Sequence, residues 1–272
     1  MIELFDANMR MENRQSSKGN QQKWLKEGVW YKADYTGYEG LAEYVISHLL
    51  QKSSLSKEEY VLYDTELIHY KAAQFRGCKS ADFLPEGWNL ITLERLFQNM
   101  YGQSLNKSIY KIQSYETRLE FIVNQTIRMT GLENFGAYMG KLLTIDALFL
   151  NEDRHTHNIA VLMDEVGGFH YCPFFDHGAA LLSDVTMDYP MSRNLEEAMN
   201  DVEAKTFCRS FEEQMEIAEK LYGINLRFHF TTNDVERLLE QEPHYTIEEK
   251  TRVWQILAWQ MRKYKYLFEK NN

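Results

Sequence analysis

The sequence predicts an α+β protein, a small β-rich N-terminal part followed by a larger helical part. Two observations carry this. Short apolar runs bounded by turn residues crowd the region 23–93, whereas apolar stripes at helical spacing dominate from Leu119 onward. A third bounds the class: with 44% apolar and 14% aromatic residues, the chain has what a packed core needs and a disordered chain lacks. A length of 272 residues suits one large domain or two small lobes.

Taken in order, residues 23–26 and 29–32 read as a hairpin joined at Glu27-Gly28. Leu41, Tyr44, Val45, His48 and Leu49 then form one apolar face of a helix. Residues 60–68, 76–84 and 89–93 read as strands, with Pro85-Glu86-Gly87 as a turn, so the first half holds one helix. Leu119, Val123 and Ile127 open a helical run, and a second one ends over 142–150. Residues 159–163 and 169–174 flank a hairpin turn whose Gly167-Gly168 supplies positive φ. Phe211, Met215, Ala218 and Tyr222 form a stripe closed by Gly223. Thr246-Ile247-Glu248-Glu249 is a capping box before the stripe Trp254, Leu257, Met261, Tyr264, Phe268, read as core. The boundary between the two parts falls near residues 93–102, giving a division into 1–95 and 96–272.

The charge balance, 30 basic against 40 acidic residues, argues against a general nucleic-acid binder. No stretch approaches the roughly 18 apolar residues of a membrane span. The start, Met1-Ile2-Glu3-Leu4-Phe5-Asp6, carries acid where a secretory signal carries a basic region. Cys78, Cys172 and Cys208, odd in number and far apart, read as reduced thiols. The expectation is a cytoplasmic protein.

The chemistry concentrates in Asn151-Glu152-Asp153-Arg154-His155-Thr156-His157-Asn158, a polar loop between an apolar helix and an apolar strand. Asp176-His177-Gly178 comes directly after the hairpin. Asp153, Asn158 and Asp176 could therefore converge at one end of it. Two carboxylates and an amide oxygen are hard ligands suited to Mg²⁺ and phosphate oxygens. A carboxylate left free of metal can orient a hydroxyl and accept its proton. Singly, each residue has a plain structural use as a cap or strand end. Jointly they favour a phosphoryl-transfer site.

Asp-x-x-x-x-Asn, a short hairpin, then Asp-x-Gly resembles the catalytic and metal-binding loops of protein kinases. Asp153-Arg154-His155-x-x-Asn158 is similar to the motifs of phosphatidylinositol 3/4-kinases and of HipA-like serine/threonine kinases. Ser16-Ser17-Lys18-Gly19-Asn20-Gln21-Gln22-Lys23 resembles the S-x-x-G-x-Q-x-K nucleotide loop of the HipA-like group and its compact, CtkA-like relatives. That family resemblance covers about residues 14–200.

The resemblance implies a two-lobed protein-kinase-like fold with a nucleotide-binding N-lobe (1–95), a catalytic C-lobe (96–272) and ATP between them. It implies Asp153 as the base and Asn158 and Asp176 as Mg²⁺ ligands. Lys32 would contact the ATP α-phosphate, held by Glu43 or, one turn earlier, Glu39. Ser17, Gly19, Gln21, Lys23 and His155 would line the nucleotide, with a hinge near Ala81 and Phe83. Ser16 or Ser17 would be the site of inhibitory autophosphorylation. The partners implied are ATP and a protein substrate. An antitoxin-like partner stays open, because the subdomain that contacts it in full-length HipA proteins has no counterpart here; direct nucleic-acid or membrane binding is not expected.

Other readings stand beside this one. Arg154 resembles the lipid-kinase form, although no basic amphipathic stretch would dock a membrane. A small-molecule kinase or a pseudokinase would keep the fold. His155, His157, His170, Cys172 and His177 raise a zinc hydrolase, with His155-x-His157 and His170-x-Cys172 as same-face pairs. His155 more readily orients the loop by hydrogen bonds, with His157 and His177 facing substrate or nucleotide.

Overall fold

The N-terminal apolar runs build one five-stranded sheet in the computed structural model, which describes residues 1–9 and 21–268. Its strands are β1 (Ile2–Leu4), β2 (Lys23–Lys26), β3 (Val29–Ala33), β4 (Asp64–Tyr70) and β5 (Ala73–Ala81), in the order β1-β4-β5-β3-β2. β1 runs parallel to β4, and the other pairs are antiparallel. The β2–β3 turn places Glu27 and Gly28 at φ 53° and 74°, the left-handed pair a two-residue hairpin demands. Trp24, Tyr31, Ile68 and Tyr70 form a core on this sheet.

Helix α1 (Glu39–Leu50) packs against β4 and β5. It is buried around most of its circumference, more than the single apolar face read from the sequence requires. The strand expected at 60–68 runs instead over Asp64–Tyr70, and the one at 76–84 over Ala73–Ala81. The cause is a tight turn at Lys71, whose φ of 55° no glycine announces. β1 lay outside the sequence reading.

The chain forms two compact units. The first comprises Met1–Phe83, Phe175–Val202 and Arg227–Asn272, the second Leu84–Phe174 and Glu203–Leu226. The second holds β6 (Asn89–Thr92), α2 (Leu93–Tyr101), α3 (Leu105–Tyr110), α4 (Tyr115–Thr130), α5 (Phe135–Phe149), β7 (Ala160–Met163) and β8 (Phe169–Tyr171). The strands form a three-stranded sheet, β6-β7-β8. Thr92 and Ser104 cap α2 and α3, and with α1 and α4 the first half of the chain holds four α-helices rather than one. In the β7–β8 turn Gly167 takes positive φ, at 86°, and Gly168 does not.

α6 (Leu195–Asp201), α8 (Thr232–Gln241) and α9 (Ile247–Lys263) belong to the first unit, and α7 (Phe211–Tyr222), packed on α4 and α5, to the second. The Thr246/Glu249 capping box opens α9. Its buried face is Val253, Ile256, Leu257 and Gln260; Trp254 and Trp259 are 38% and 45% exposed. The expectation that the Trp254 stripe is core therefore holds at Leu257 and Tyr264 and fails at Trp254, whose neighbour Val253 is buried instead; α9 turns the Trp254 and Trp259 rings outward. Among the described residues no helix is long and apolar enough to cross a membrane, and all three cysteines are buried and free of disulfides.

Candidate active site

The first unit builds a charged cluster around Lys32. β3 is hydrogen-bonded on both sides, Lys32 lying opposite Lys23 of β2 and Cys78 of β5, so its side chain leaves an interior strand. Its Nζ donates to Glu43 Oε1 at 2.7 Å and Asp176 Oδ1 at 2.9 Å, and lies 5.0 Å from the Tyr63 ring centre. Burial opposes the ammonium's charge, but Asp176 and Glu43 outweigh it and hold Lys32 protonated well above the ordinary lysine range. Burial also pushes the Tyr63 hydroxyl and the Cys78 thiol up.

Glu43, 1% exposed, faces the sheet from α1. Its other oxygen accepts the His177 backbone N–H at 2.9 Å, which ties the segment after β8 to the helix. Of the two glutamates weighed for Lys32, Glu43 reaches it. Glu39 instead accepts the N–H groups of Thr36 and Gly37 at 2.7 and 3.1 Å, securing the entry to α1. Asp176 takes φ 62°, a left-handed conformation that aspartate tolerates better than most residues.

The second unit presents the loop 151–158. Asn158 Nδ2 donates to the Asp153 carbonyl at 2.8 Å and to Asp153 Oδ2 at 3.1 Å, which fixes the carboxylate against the loop. The Asn158 amide oxygen is then the end of that side chain suited to a cation. His155 Nε2 stands 3.7 Å from Asp153 Oδ1, beyond hydrogen-bonding distance, and burial lowers its proton affinity more than Asp153 raises it. The histidine's tie to Asp153 is through its backbone, His155 N–H to the Asp153 carbonyl at 3.0 Å.

What orders the loop is a set the sequence reading passed over. Arg154, placed there with lipid-kinase motifs, is 2% exposed and donates to both oxygens of Asp146 on α5, at 3.0 Å to Oδ2 and 3.2 Å to Oδ1. Burial pushes the Asp146 carboxyl up, and Arg154 and Asn151 hold against it. Thr156 Oγ1 donates to Glu94 of α2 at 2.8 Å, and Thr206 Oγ1 to the Arg154 carbonyl at 2.7 Å. Asp146 carried a signal, a lone acid inside the apolar run 142–150; Glu94 and Thr206 carried none.

Ala81 ends β5 opposite Val29, and Phe83 packs on Phe175 at 5.4 Å between ring centres. The chain passes from the first unit to the second directly after Phe83. Gln21 precedes β2, and Lys23 opens it. Ser16, Ser17 and Gly19 lie outside the described residues.

The histidine and cysteine pairs divide. His170 is exposed and meets Asp164 at 2.9 Å, while Cys172, past the end of β8, is buried, so they do not form the expected same-face pair. His155 and His157 sit on a loop rather than a strand. His177 is fully buried, against the expectation that it faces substrate or nucleotide, because the backbone bond to Glu43 turns this segment inward. Among the described residues no three His, Cys, Asp or Glu side chains converge as metal ligands. The Asp176 carboxylate in the first unit and the Asn158 amide in the second each offer a hard oxygen, a ligand type that suits Mg²⁺ better than zinc.

A five-stranded sheet with one packed helix and a larger helical part make up the α+β architecture. Among solved structures the chain is similar to CtkA, a proinflammatory kinase of Helicobacter pylori, with a TM-score of 0.61 and 15% identity over 98% of this chain and 96% of that one. It is also similar to HipA of Shewanella oneidensis MR-1, solved as a toxin–antitoxin complex with HipB and operator DNA, at TM-score 0.44 and 14% identity over 93% of this chain and 66% of that one. No protein-family model matches the chain, and no curated protein matches it in sequence. At 15% identity the likeness to CtkA is one of fold.

Proposed function

We propose that the chain is an ATP-dependent kinase that phosphorylates serine or threonine hydroxyls of protein, itself included. The observation that carries this reading is the buried Lys32 ammonium held between Glu43 and Asp176 on a kinase fold. A compact cation fixed in this way suits a phosphate oxygen. Asp153 accepts the proton of the attacking hydroxyl as its oxygen bonds to the γ-phosphorus and ADP leaves. Asn158 and Asp176 supply the oxygens for Mg²⁺, which when bound neutralises charge on the phosphates. Residues 1–95 serve the nucleotide and 96–272 the acceptor. The partners in this reading are ATP and a protein substrate; it leaves room for an antitoxin-like protein and involves neither nucleic acid nor a membrane.

Intact mass and peptide mapping after incubation with Mg·ATP, beside an Asp153→Ala control, test it. Phosphate gained by the wild type alone supports the reading, and at Ser16 or Ser17 it also supports the regulatory loop. Tight ATP binding without protein phosphorylation shifts the acceptor to a small molecule or leaves a binding module. Neither binding nor transfer overturns it.

A further inference from the structure

Arg154 makes two kinds of contact at once. Its Nε and Nη2 donate to Asp146 at the buried end of α5, and its Nη1 donates to the Asn158 carbonyl at 2.9 Å. Its own carbonyl accepts from Thr206 Oγ1 at 2.7 Å. One guanidinium therefore spans the loop from the helix that precedes it to the residue that closes it. Asn158, fixed at its carbonyl, spends its amide N–H groups on Asp153. The chain of contacts runs Asp146, Arg154, Asn158, Asp153, with every member in the second unit.

We infer that Arg154, clamped on Asp146, is a positioning residue that sets the Asp153 carboxylate and the Asn158 amide for the transfer reaction. The inference rests on the kinase reading of this loop. It gives Arg154 a role unrelated to any lipid headgroup, since its guanidinium points into the unit and is spent on protein oxygens. A planar fork can bridge a carboxylate and a carbonyl; a lysine ammonium keeps the charge on Asp146 but is too compact to hold both. This separates positioning from mere neutralisation of a buried carboxylate.

The test is Arg154→Lys in the full chain. Asp146→Asn is the more direct variant, but it leaves a buried cation without a counter-ion and can fail to fold. Arg154→Lys should fold, as judged by circular dichroism and thermal unfolding. Its kcat for transfer should fall about a hundredfold while KM for ATP stays within about twofold. Amide hydrogen exchange over residues 153–158, measured without nucleotide, should quicken about tenfold. A folded Arg154→Lys protein with wild-type kcat and wild-type exchange overturns the inference and leaves the kinase reading in place. A fall in kcat with unchanged exchange also overturns it, because the effect would then lie outside the loop. Faster exchange in the variant of a wild type that transfers no phosphate keeps the clamp and removes the kinase reading.

Discussion

Gly40 of α1 lies directly against Gly77 of β5: a Cβ on Gly40 would come within 2.6 Å of the Gly77 carbonyl carbon. Gly77 in turn pairs with Ala33, the neighbour of Lys32 on β3. The contact of two glycines lets the helix sit close to the sheet, and Glu43, three residues on, shares the face that Gly40 presents. The reach of Glu43 to Lys32 depends on that approach. Gly40→Ala should push α1 outward, costing about 1–3 kcal/mol as overpacking does. Urea unfolding reads the cost, and the proposed phosphoryl transfer should fall by about tenfold or more as the ion pair lengthens. A variant with wild-type stability and turnover would show that the spacing is not critical.

Glu43 holds two donors, the Lys32 ammonium and the His177 N–H, one on each carboxylate oxygen. Glu43→Gln keeps the shape, loses the charge and turns an amide NH₂ toward one of those donors. We expect a loss of about 2–4 kcal/mol, since a buried cation then lacks one of its two carboxylate partners and one of the two buried donors meets an amide NH₂. Transfer should drop in parallel. Denaturant midpoints and slopes for the two proteins check this, and a change under about 0.5 kcal/mol, the usual size for surface sites, would place Glu43 outside the structural core.

The outward turn of Trp254 gives a sharper contrast on α9. Trp254→Ser should leave stability within about 0.5 kcal/mol, as a surface change does. Ile256→Ala, two residues on and fully buried, should cost about 2–4 kcal/mol. Equal losses would return Trp254 to the core.

That contrast marks what local sequence can carry. The β2–β3 hairpin and the placement of Glu43 on a helix that comes after Lys32 were legible because a period of two, a glycine turn and a period of 3.6 are local signals. So was the spacing of Asp153, Asn158 and Asp176 around a hairpin. The buried face of α9 was not, because Trp254 fits a helical stripe as well as Val253 does and only the packing partner decides. The anchors of the loop 151–158 are nonlocal: Glu94 reaches Thr156 across 62 positions, and Thr206 reaches Arg154 across 52. No window of sequence joins them. The helices α2 and α3 are capped by Thr92 and Ser104, signals present in the sequence; Leu93, Leu96 and Phe97 give α2 an apolar face as well, but Leu93 also continues the strand run that precedes it, and α3, six residues long, is too short to show a period.

Asp34, between β3 and α1, supplies a dependence on pH. Its carboxyl accepts the Gly40 N–H at 2.7 Å and the Tyr245 hydroxyl at 2.8 Å. Arg76 lies over the Tyr245 ring at 4.5 Å and spends its fork on Glu249 at 2.8 and 2.9 Å. Burial, and then the charge of Glu39, push Asp34 up from 3.8 to about 7, while Gly40, Tyr245 and Arg76 pull the other way. The folded chain therefore keeps a proton between those two values that the unfolded chain gives up. Stability from this group is greatest at the acid end of the window, declines as pH rises through it, and is level above the folded value. Asp34→Asn cannot titrate, so the wild type should lose ground to it between pH 5 and pH 8, by about 2–3 kcal/mol. Urea midpoints of the two proteins at both pH values measure the difference. A difference between the two proteins that stays the same at both pH values would show that Asp34 is ionised throughout and overturn the prediction.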